Sequence, residues 1–180
     1  MLDRAKVVAF DWLGSRLAEP GSLPPIAVLD LFAGAGSMGL ECLSRGVAWV
    51  CFVERSGGSL RALRQNVADL RAEDQCVVMR ADALSVELPP PPNGAYSLLF
   101  MDPPYRMTEA LGPGDGVVQR ILELGAHPLI AADALLVFRQ EIRSASLPPV
   151  GGWDVSDRRE VGTMVLTFLA RREEPKSVLP

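Results

Sequence analysis

The sequence has little histidine and cysteine, the residues that most often carry metal ions or nucleophilic chemistry. It contains one histidine, His127, and three cysteines among 180 residues. Cys42, Cys51 and Cys76 are widely spaced and form no zinc-binding pattern, so we interpret them as core thiols. His127 precedes Pro128 near the predicted end of a helix, and we interpret it as structural. We therefore predict no metal site.

The sequence also lacks a long apolar run and an excess of positive charge. No run approaches the ~20 apolar residues that span a bilayer, and residues 1–6 form no hydrophobic signal core. We therefore expect a cytoplasmic protein that binds no membrane. The net charge of −4 is unlike that of a free-standing nucleic-acid binder, although a local basic patch can serve a nucleic-acid substrate.

A hydrophobic content of 48% in 180 residues is enough for one domain with a full core. We find no internal repeat, and we expect a single domain over 1–180 that is monomeric. A leading helix at 1–18 precedes the sheet in this prediction, and a loose tail at 172–180 follows it.

Strand-like apolar segments alternate with helical periodicity, which is typical of a doubly wound, mostly parallel α/β sheet. The predicted strands are 26–32, 48–53, 76–79, 96–101 and 134–140, and the predicted helices are 3–17, 37–45, 56–70 and 117–130. Two further segments, 153–159 and 163–170, are predicted to form a terminal antiparallel hairpin that turns near Gly162.

Residues 28–39 predict a buried strand, a tight glycine turn and the first turn of a helix. Gly34, Gly36 and Gly39 have the G-x-G-x-x-G spacing of dinucleotide-binding turns. Such a turn lets the backbone approach a ligand and points free amides at it. Asp30 favours S-adenosylmethionine over a nicotinamide cofactor, because its carboxylate can receive the ammonium group of a methionine moiety but would repel a pyrophosphate.

Four acids mark the ends of the first four predicted strands: Asp30, Glu54, Asp82 and Asp102. Ligands of such sheets bind beyond the carboxyl ends of the strands. Glu54 can accept two hydroxyls of a ribose, and Asp82 can accept the exocyclic amine of an adenine, with Ala83 supplying a backbone amide. The alternative interpretation is that strand-end acids are solvated or cap the helix that follows.

The most specific motif is Asp102-Pro103-Pro104-Tyr105, directly after a predicted strand. The two prolines stiffen the turn and remove two amide donors, so the Asp102 carboxylate and the carbonyls face the cleft as acceptors. These acceptors suit a planar NH2 group on a base, and they turn the nitrogen lone pair toward an incoming methyl group. Tyr105 can stack on the ring. Residues 103–116 form a long loop that we interpret as functional or mobile.

Taken together, these motifs resemble the class I S-adenosylmethionine-dependent methyltransferases. The chain is similar in particular to the RsmD-like family, which methylates the exocyclic amine of a guanine in 16S ribosomal RNA. The matching stretches are 3–13, 28–39, 52–55, 64–66, 80–82, 102–105 and 158–168.

The resemblance implies a seven-stranded sheet with S-adenosyl-L-methionine over the first glycine turn and ribosomal RNA, or the small ribosomal subunit, as substrate. The residues expected to bind the cofactor are Asp30, Phe32, Ala33, Gly34, Gly36, Glu54, Arg55, Asp82 and Ala83. The residues expected to hold the target base are Asp102, Pro103, Pro104 and Tyr105. A guanine in a duplex would have to be unstacked first.

Three alternatives stay open at this point. A DNA amino-methyltransferase shares the D-P-P-Y motif but usually needs a target-recognition insertion. A nicotinamide-dependent oxidoreductase shares the glycine turn, but Asp30 and the D-P-P-Y loop argue against it. A cofactor-binding protein without RNA activity is the third, because family members usually carry a basic hairpin arm before the first helix, whereas this sequence starts at that helix.

Overall fold

The computed structural model describes residues 2–17 and 21–172. The helices are α1 (Leu2–Leu17), α2 (Ser37–Ser44), α3 (Gly57–Asp69) and α4 (Gly116–Ala126). The strands are β1 (Ala27–Leu31), β2 (Trp49–Glu54), β3 (Cys76–Arg80), β4 (Tyr96–Met101), β5 (Ile130–Glu141), β6 (Trp153–Val161) and β7 (Met164–Arg171). No helix in these two ranges is long and apolar enough to cross a membrane.

The strands of the described residues form one seven-stranded sheet in the order β3-β2-β1-β4-β5-β7-β6. Strands β1 to β5 run parallel, whereas β7 runs antiparallel to both β5 and β6. The predicted doubly wound, mostly parallel sheet with a terminal antiparallel hairpin is therefore confirmed. The winding reverses between β1 and β4, and a crevice opens at such a switch point.

The interior strand β1, which lies between β2 and β4, is buried along its whole length, which explains its nearly continuous apolar sequence. Leu29 and Leu31 pack in the layer that contains α4, whereas Val28 packs in the layer that contains α1, α2 and α3. The two layers follow from the alternation of side chains along a strand. Each fully buried side chain of this kind contributes about 1.5–3 kcal/mol, so the sheet centre is a firm support for the carboxyl ends of its strands.

Two predicted boundaries, the end of α4 and the start of β5, differ from those in the structure. The helix predicted to reach position 130 ends at Ala126, and the strand predicted from position 134 begins at Ile130. Pro128 is the physical reason, because a proline disfavours helical backbone in the residue before it. His127 is accordingly extended, with φ −74° and ψ 133°.

The predicted start of the C-terminal tail, at position 172, also differs from the structure. β7 continues to Arg171, and the Arg172 backbone N–H donates to the Gly152 carbonyl at 2.9 Å. The Arg172 side chain is also paired with Asp154 on β6, so Arg172 is not part of a loose tail. The rest of the predicted tail, 173–180, lies outside the described residues, as do positions 1 and 18 of the predicted leading helix.

Candidate active site

The turn after β1 has a left-handed backbone at Phe32 (φ 60°), Gly34 (φ 58°) and Gly36 (φ 88°). The two glycines have different surroundings. A Cβ on Gly36 would lie 2.4 Å from a terminal methyl of Leu63, so Gly36 packs closely against α3, and its positive φ also favours glycine. A Cβ on Gly34 would meet nothing within 4 Å, so Gly34 borders open space. Phe32 holds a conformation that is uncommon for a bulky residue and that tends to occur at functional sites.

Asp30 lies beneath this turn and is almost fully buried. One of its carboxylate oxygens accepts from the Gly39 backbone N–H at 3.0 Å, which ties the first turn of α2 to β1. Burial is the main reason that the pKa of Asp30 rises from 3.8 to about 7, and the charges of Asp102 and Glu54 raise it further. A cationic ligand nearby would favour the ionised carboxylate.

Glu54 holds the same turn from the carboxyl end of β2. Its Oε2 accepts from the Gly34 N–H at 2.8 Å, and its Oε1 accepts from the Ser56 N–H at 2.7 Å. Each carboxylate oxygen offers two lone pairs, so both oxygens keep the capacity to accept from a further hydroxyl. Glu54 also lines the cleft described below, which makes it available to a diol.

The end of β3 is linked to the end of β2 by an ion pair. Arg55 Nη1 lies 3.1 Å from Asp82 Oδ2, with both side chains about half exposed. Asp82 Oδ1 accepts from the Leu84 N–H at 3.0 Å, which stabilises the turn that follows β3. The segment 81–95 between β3 and β4 contains no helix, so Asp82 does not have the helix-capping role that the sequence left open. Ala83 is buried, and it lines the cleft together with Arg55.

The D-P-P-Y loop after β4 is held in place by hydrogen bonds. Tyr105 begins a single 3₁₀ turn that ends at Met107. The buried Thr108 hydroxyl donates to the Tyr105 carbonyl at 3.0 Å and is hydrogen-bonded to the Ser144 hydroxyl at 2.7 Å. The Ala145 N–H donates to the Thr108 carbonyl at 3.2 Å. The loop is therefore joined to the segment that follows β5.

Asp102 is held by Arg139 from the neighbouring strand β5. Arg139 Nε donates to Asp102 Oδ1 at 2.7 Å, and Arg139 Nη2 donates to Asp102 Oδ2. The pKa of the Asp102 carboxyl is raised above its ordinary value, because burial raises it by more than the hydrogen bonds and charge of Arg139 lower it. The guanidinium therefore favours an ionised carboxylate in a largely buried place.

These strand ends surround a cleft of about 420 Å³. The expected site residues that line it are Phe32, Glu54, Arg55, Ala83, Asp102, Pro103, Pro104 and Tyr105. The expected site residues that do not line it are Asp30, Ala33, Gly34, Gly36 and Asp82. Within residues 2–17 and 21–172, no group of three or more histidine, cysteine or acidic side chains could hold a metal ion. Glu54 lines one side of this cleft and Asp102 lines the other.

Arg139 is the functional residue that the sequence did not reveal. It lines the cleft and pairs with Asp102, whereas no motif in the sequence assigned it a role in the site. The available signal was a charged residue directly after the apolar run of β5. Only the pairing of Met101 with Phe138 places the next residue of β5 beside Asp102.

The sheet order and the antiparallel β7 define a Rossmann-like methyltransferase fold. The structure is similar to a putative methyltransferase, yhhF, from Escherichia coli, with a TM-score of 0.73 and 25% identity over 96% of this chain and 86% of that chain. It also shares its fold with the rRNA methyltransferase aviRa from Streptomyces viridochromogenes, with a TM-score of 0.65 and 16% identity over 93% of this chain and 84% of that chain.

The chain belongs to the family described as conserved hypothetical protein 95, whose model matches residues 1–170. It is 26% identical over 176 residues to ribosomal RNA small subunit methyltransferase D of Escherichia coli (strain K12), covering 97% of this chain and 80% of that protein. It is 28% identical over 134 residues to the putative rRNA methyltransferase YlbH of Bacillus subtilis (strain 168), covering 73% of this chain and 68% of that protein. The predicted membership of the RsmD-like methyltransferase family is confirmed.

Proposed function

We propose that this protein transfers a methyl group from S-adenosylmethionine to the exocyclic amine of a nucleobase, the N2 of a guanine in small-subunit ribosomal RNA. The observation that carries the proposal is that Glu54 and the D-P-P-Y loop line the same cleft. Relatives that act on ribosomal RNA support the substrate class.

The Glu54 side of the cleft fits the adenosine part of the cofactor. Glu54 keeps lone pairs for the two ribose hydroxyls while it accepts from Gly34 and Ser56. Ala83 lies at the end of β3 and lines the same space, where its small side chain leaves room for an adenine. Gly34 borders open space above the turn, on the side where the methionine part would lie.

The charge of the site also fits this cofactor. Asp30, Glu54 and Asp102 are close enough for the charges of the other two to raise the pKa of Asp30. A cluster of carboxylates attracts a ligand that carries a sulfonium and an ammonium group, and it repels the pyrophosphate of a nicotinamide cofactor. The electrostatics therefore favour S-adenosylmethionine between these two cofactor classes.

The D-P-P-Y side positions the target amine. S-adenosylmethionine supplies a methyl group that is already activated by its sulfonium charge, so the residues contribute mainly orientation. Asp102 and the carbonyl of Pro103 are acceptors for the two amine hydrogens, because the prolines offer no N–H that would compete. As the C–N bond forms and the C–S bond breaks, the bonding electrons remain on sulfur. The amine nitrogen then loses a proton, for which the Asp102 carboxylate is the acceptor at hand.

Tyr105 gives the base a surface to stack on. Its ring lines the cleft, and its backbone is fixed by the turn and by Thr108. A base can reach Asp102 only after it leaves its own stack, and an aromatic side chain recovers part of that lost stacking energy, about 1–3 kcal/mol per base. We therefore expect the substrate guanine to be flipped or already unpaired.

The proposal is tested by transfer of labelled methyl from S-adenosylmethionine to small ribosomal subunits that lack the modification. Cofactor binding is measured by calorimetry in the same preparation, and the labelled RNA is digested to nucleosides. We expect the label in N2-methylguanosine. Label in DNA instead would favour a DNA amino-methyltransferase, and cofactor binding with no transfer to any nucleic acid would favour a binding protein. Binding of a nicotinamide cofactor alone would contradict the proposal.

A further inference from the structure

Arg139 occupies an unusual position for a charged residue. It follows directly on the buried β5 residues Leu135 to Phe138, and its own side chain is only 19% exposed. It nevertheless lines the cleft beside Asp102. A cation placed in largely buried surroundings costs free energy unless it is paired, and here the partner is the acid of the D-P-P-Y motif.

The pair leaves both partners with unused hydrogen-bonding capacity. Arg139 uses its Nε and one terminal nitrogen on the two oxygens of Asp102. A guanidinium has five N–H donors, and a carboxylate has about four lone-pair sites. Arg139 therefore retains three donors, and each Asp102 oxygen retains a lone pair. Asp102 and Arg139 therefore offer hydrogen-bond acceptors and donors next to each other in the lining of the cleft.

This arrangement matches the Watson–Crick edge of guanine. That edge carries two adjacent donors, N2–H and N1–H, followed by one acceptor, O6. Adenine and cytosine instead carry their amine beside an unprotonated ring nitrogen, whose lone pair would face a carboxylate lone pair. A carboxylate next to a guanidinium thus complements guanine and is mismatched to the other two amine-bearing bases.

We infer that Asp102 and Arg139 together read the target base, with Asp102 accepting from the N1–H and N2–H of guanine and Arg139 donating to O6. Arg139 is then the residue that determines specificity for guanine, in addition to orienting Asp102. The inference rests on the proposed methyl transfer to guanine, and it adds the residue that selects this base among those with an exocyclic amine.

The test compares guanine with 6-thioguanine, which keeps N1–H and the N2 amine but replaces O6 with sulfur, a weaker acceptor. The target position is first mapped by methyl transfer to small ribosomal subunits. Matched RNAs then carry guanine or 6-thioguanine at that position, and kcat/KM is measured for each. For the wild-type protein we expect a preference for guanine of about tenfold or more, as for a hydrogen bond to a charged donor.

Arg139→Met should lower kcat/KM on both RNAs, because Asp102 loses its partner, and should bring the ratio of the two values close to one. Arg139→Lys keeps a charged donor without the planar fork, so its ratio should be intermediate. Arg64→Met is the matched control, since Arg64 is an exposed residue of α3, and it should keep the wild-type ratio. Calorimetric binding of S-adenosylmethionine shows that each variant is folded.

The outcomes separate this inference from the function on which it rests. No transfer by the wild-type protein to guanine RNA would overturn both. Transfer with no preference between the two bases, or with an unchanged preference in Arg139→Met, would overturn only the role of Arg139. If Arg139→Met does not fold, Arg139→Lys decides by the same criterion, because a wild-type ratio in that variant excludes recognition of O6 by the guanidinium fork.

Discussion

The acids on the two sides of the cleft are held by different parts of the molecule. Asp30 and Glu54 accept hydrogen bonds from backbone N–H groups of the glycine turn and its surroundings. Asp102 is held by a side chain, the guanidinium of Arg139 on the neighbouring strand. The path of the main chain therefore fixes the Glu54 side, which we assign to the cofactor. A tertiary side-chain contact orients Asp102 on the other side, which we assign to the target base.

The two sides of the cleft also differ in charge. Burial and the charges of Asp102 and Glu54 raise the pKa of Asp30 beneath the glycine turn, and such a place suits a cation. The base side balances Asp102 with Arg139, and a balanced pair suits a neutral base that carries both donors and acceptors. Substitutions on the two sides should consequently affect different steps, the binding of cofactor or the transfer of the methyl group.

The largest effect is expected from Asp102→Ala, which removes the base side. Methyl transfer should fall by about 10²–10³-fold, the loss typical of a group that orients a reacting atom. Affinity for S-adenosylmethionine should change by less than about fivefold, since the ribose acceptor is on the other side. Single-turnover transfer and calorimetric titration measure the two quantities. Transfer within tenfold of the wild-type rate would show that the loop has another role.

Glu54→Ala should produce the complementary defect. It removes the carboxylate that we assign to the ribose hydroxyls and that also holds Gly34, so cofactor affinity should fall by about 10–100-fold. Transfer at saturating cofactor should remain near the wild-type rate. Glu73→Ala, at an exposed position, is the matched control and should change neither quantity. An equal loss of rate at saturation would contradict the separation of the two sides.

Asp30→Asn should have opposite effects on stability and on binding. The pKa of Asp30 is raised to about 7 from 3.8, so the folded state holds the proton more tightly than the unfolded state. The stability from this group is complete below about pH 4 and is lost as the pH rises toward 7. Asparagine resembles the protonated form, so at pH 8 the free variant should be more stable than the wild type, on the order of 1.4 kcal/mol per unit of pKa shift.

The same variant should bind S-adenosylmethionine more weakly at pH 8, because the negative charge of Asp30 beneath the turn no longer attracts the cationic ligand. Denaturant unfolding at pH 5 and pH 8 measures the first effect, and calorimetry measures the second. A wild-type stability profile that rises between pH 5 and pH 8, with no difference in slope from the variant, would show that Asp30 is ionised throughout this range in the free protein.

The smallest effect is expected from Thr108→Val, which removes the hydroxyl that joins the D-P-P-Y turn to Ser144. A buried hydrogen bond of this kind contributes about 1 kcal/mol, so the melting temperature should fall by a few degrees. The rate of transfer should fall severalfold while cofactor affinity is kept. Thr108→Ser retains the hydroxyl and should keep most of the rate. A larger loss in Thr108→Ser than in Thr108→Val would rule out the hydroxyl as the cause.

The sheet and the glycine turn could be predicted because their signals are local. Val28 to Phe32 is apolar apart from Asp30, and the glycines follow at fixed spacing, so strand, turn and helix are apparent without tertiary information. The prediction that α4 extends to position 130 was wrong. It followed the helical periodicity of the sequence and neglected the effect of Pro128 on the backbone before it. The hydrogen bond from the Leu84 N–H to Asp82 could not be predicted, because spacing alone does not distinguish an acid that stabilises a turn from one that contacts a ligand.

The partner of Asp102 could not be predicted, because Arg139 is 37 positions away and lies beside it only through the β4–β5 register. The same holds for Thr108 and Ser144, which are 36 positions apart. The two prolines and several glycines of loop 103–116 suggested that the loop is mobile. In the structure, hydrogen bonds between Thr108 and the segment after β5 hold the loop in place. Such contacts depend on the assembled sheet and not on any local pattern.

The most direct test of the two-sided site is a crystal structure of the protein with S-adenosylhomocysteine. The ribose hydroxyls should donate to Glu54, the adenine should lie beside Ala83, and the sulfur should point toward Asp102, with Arg139 still paired to that carboxylate. A ligand whose ribose lies away from Glu54, or whose sulfur points away from the D-P-P-Y loop, would contradict this division of the cleft.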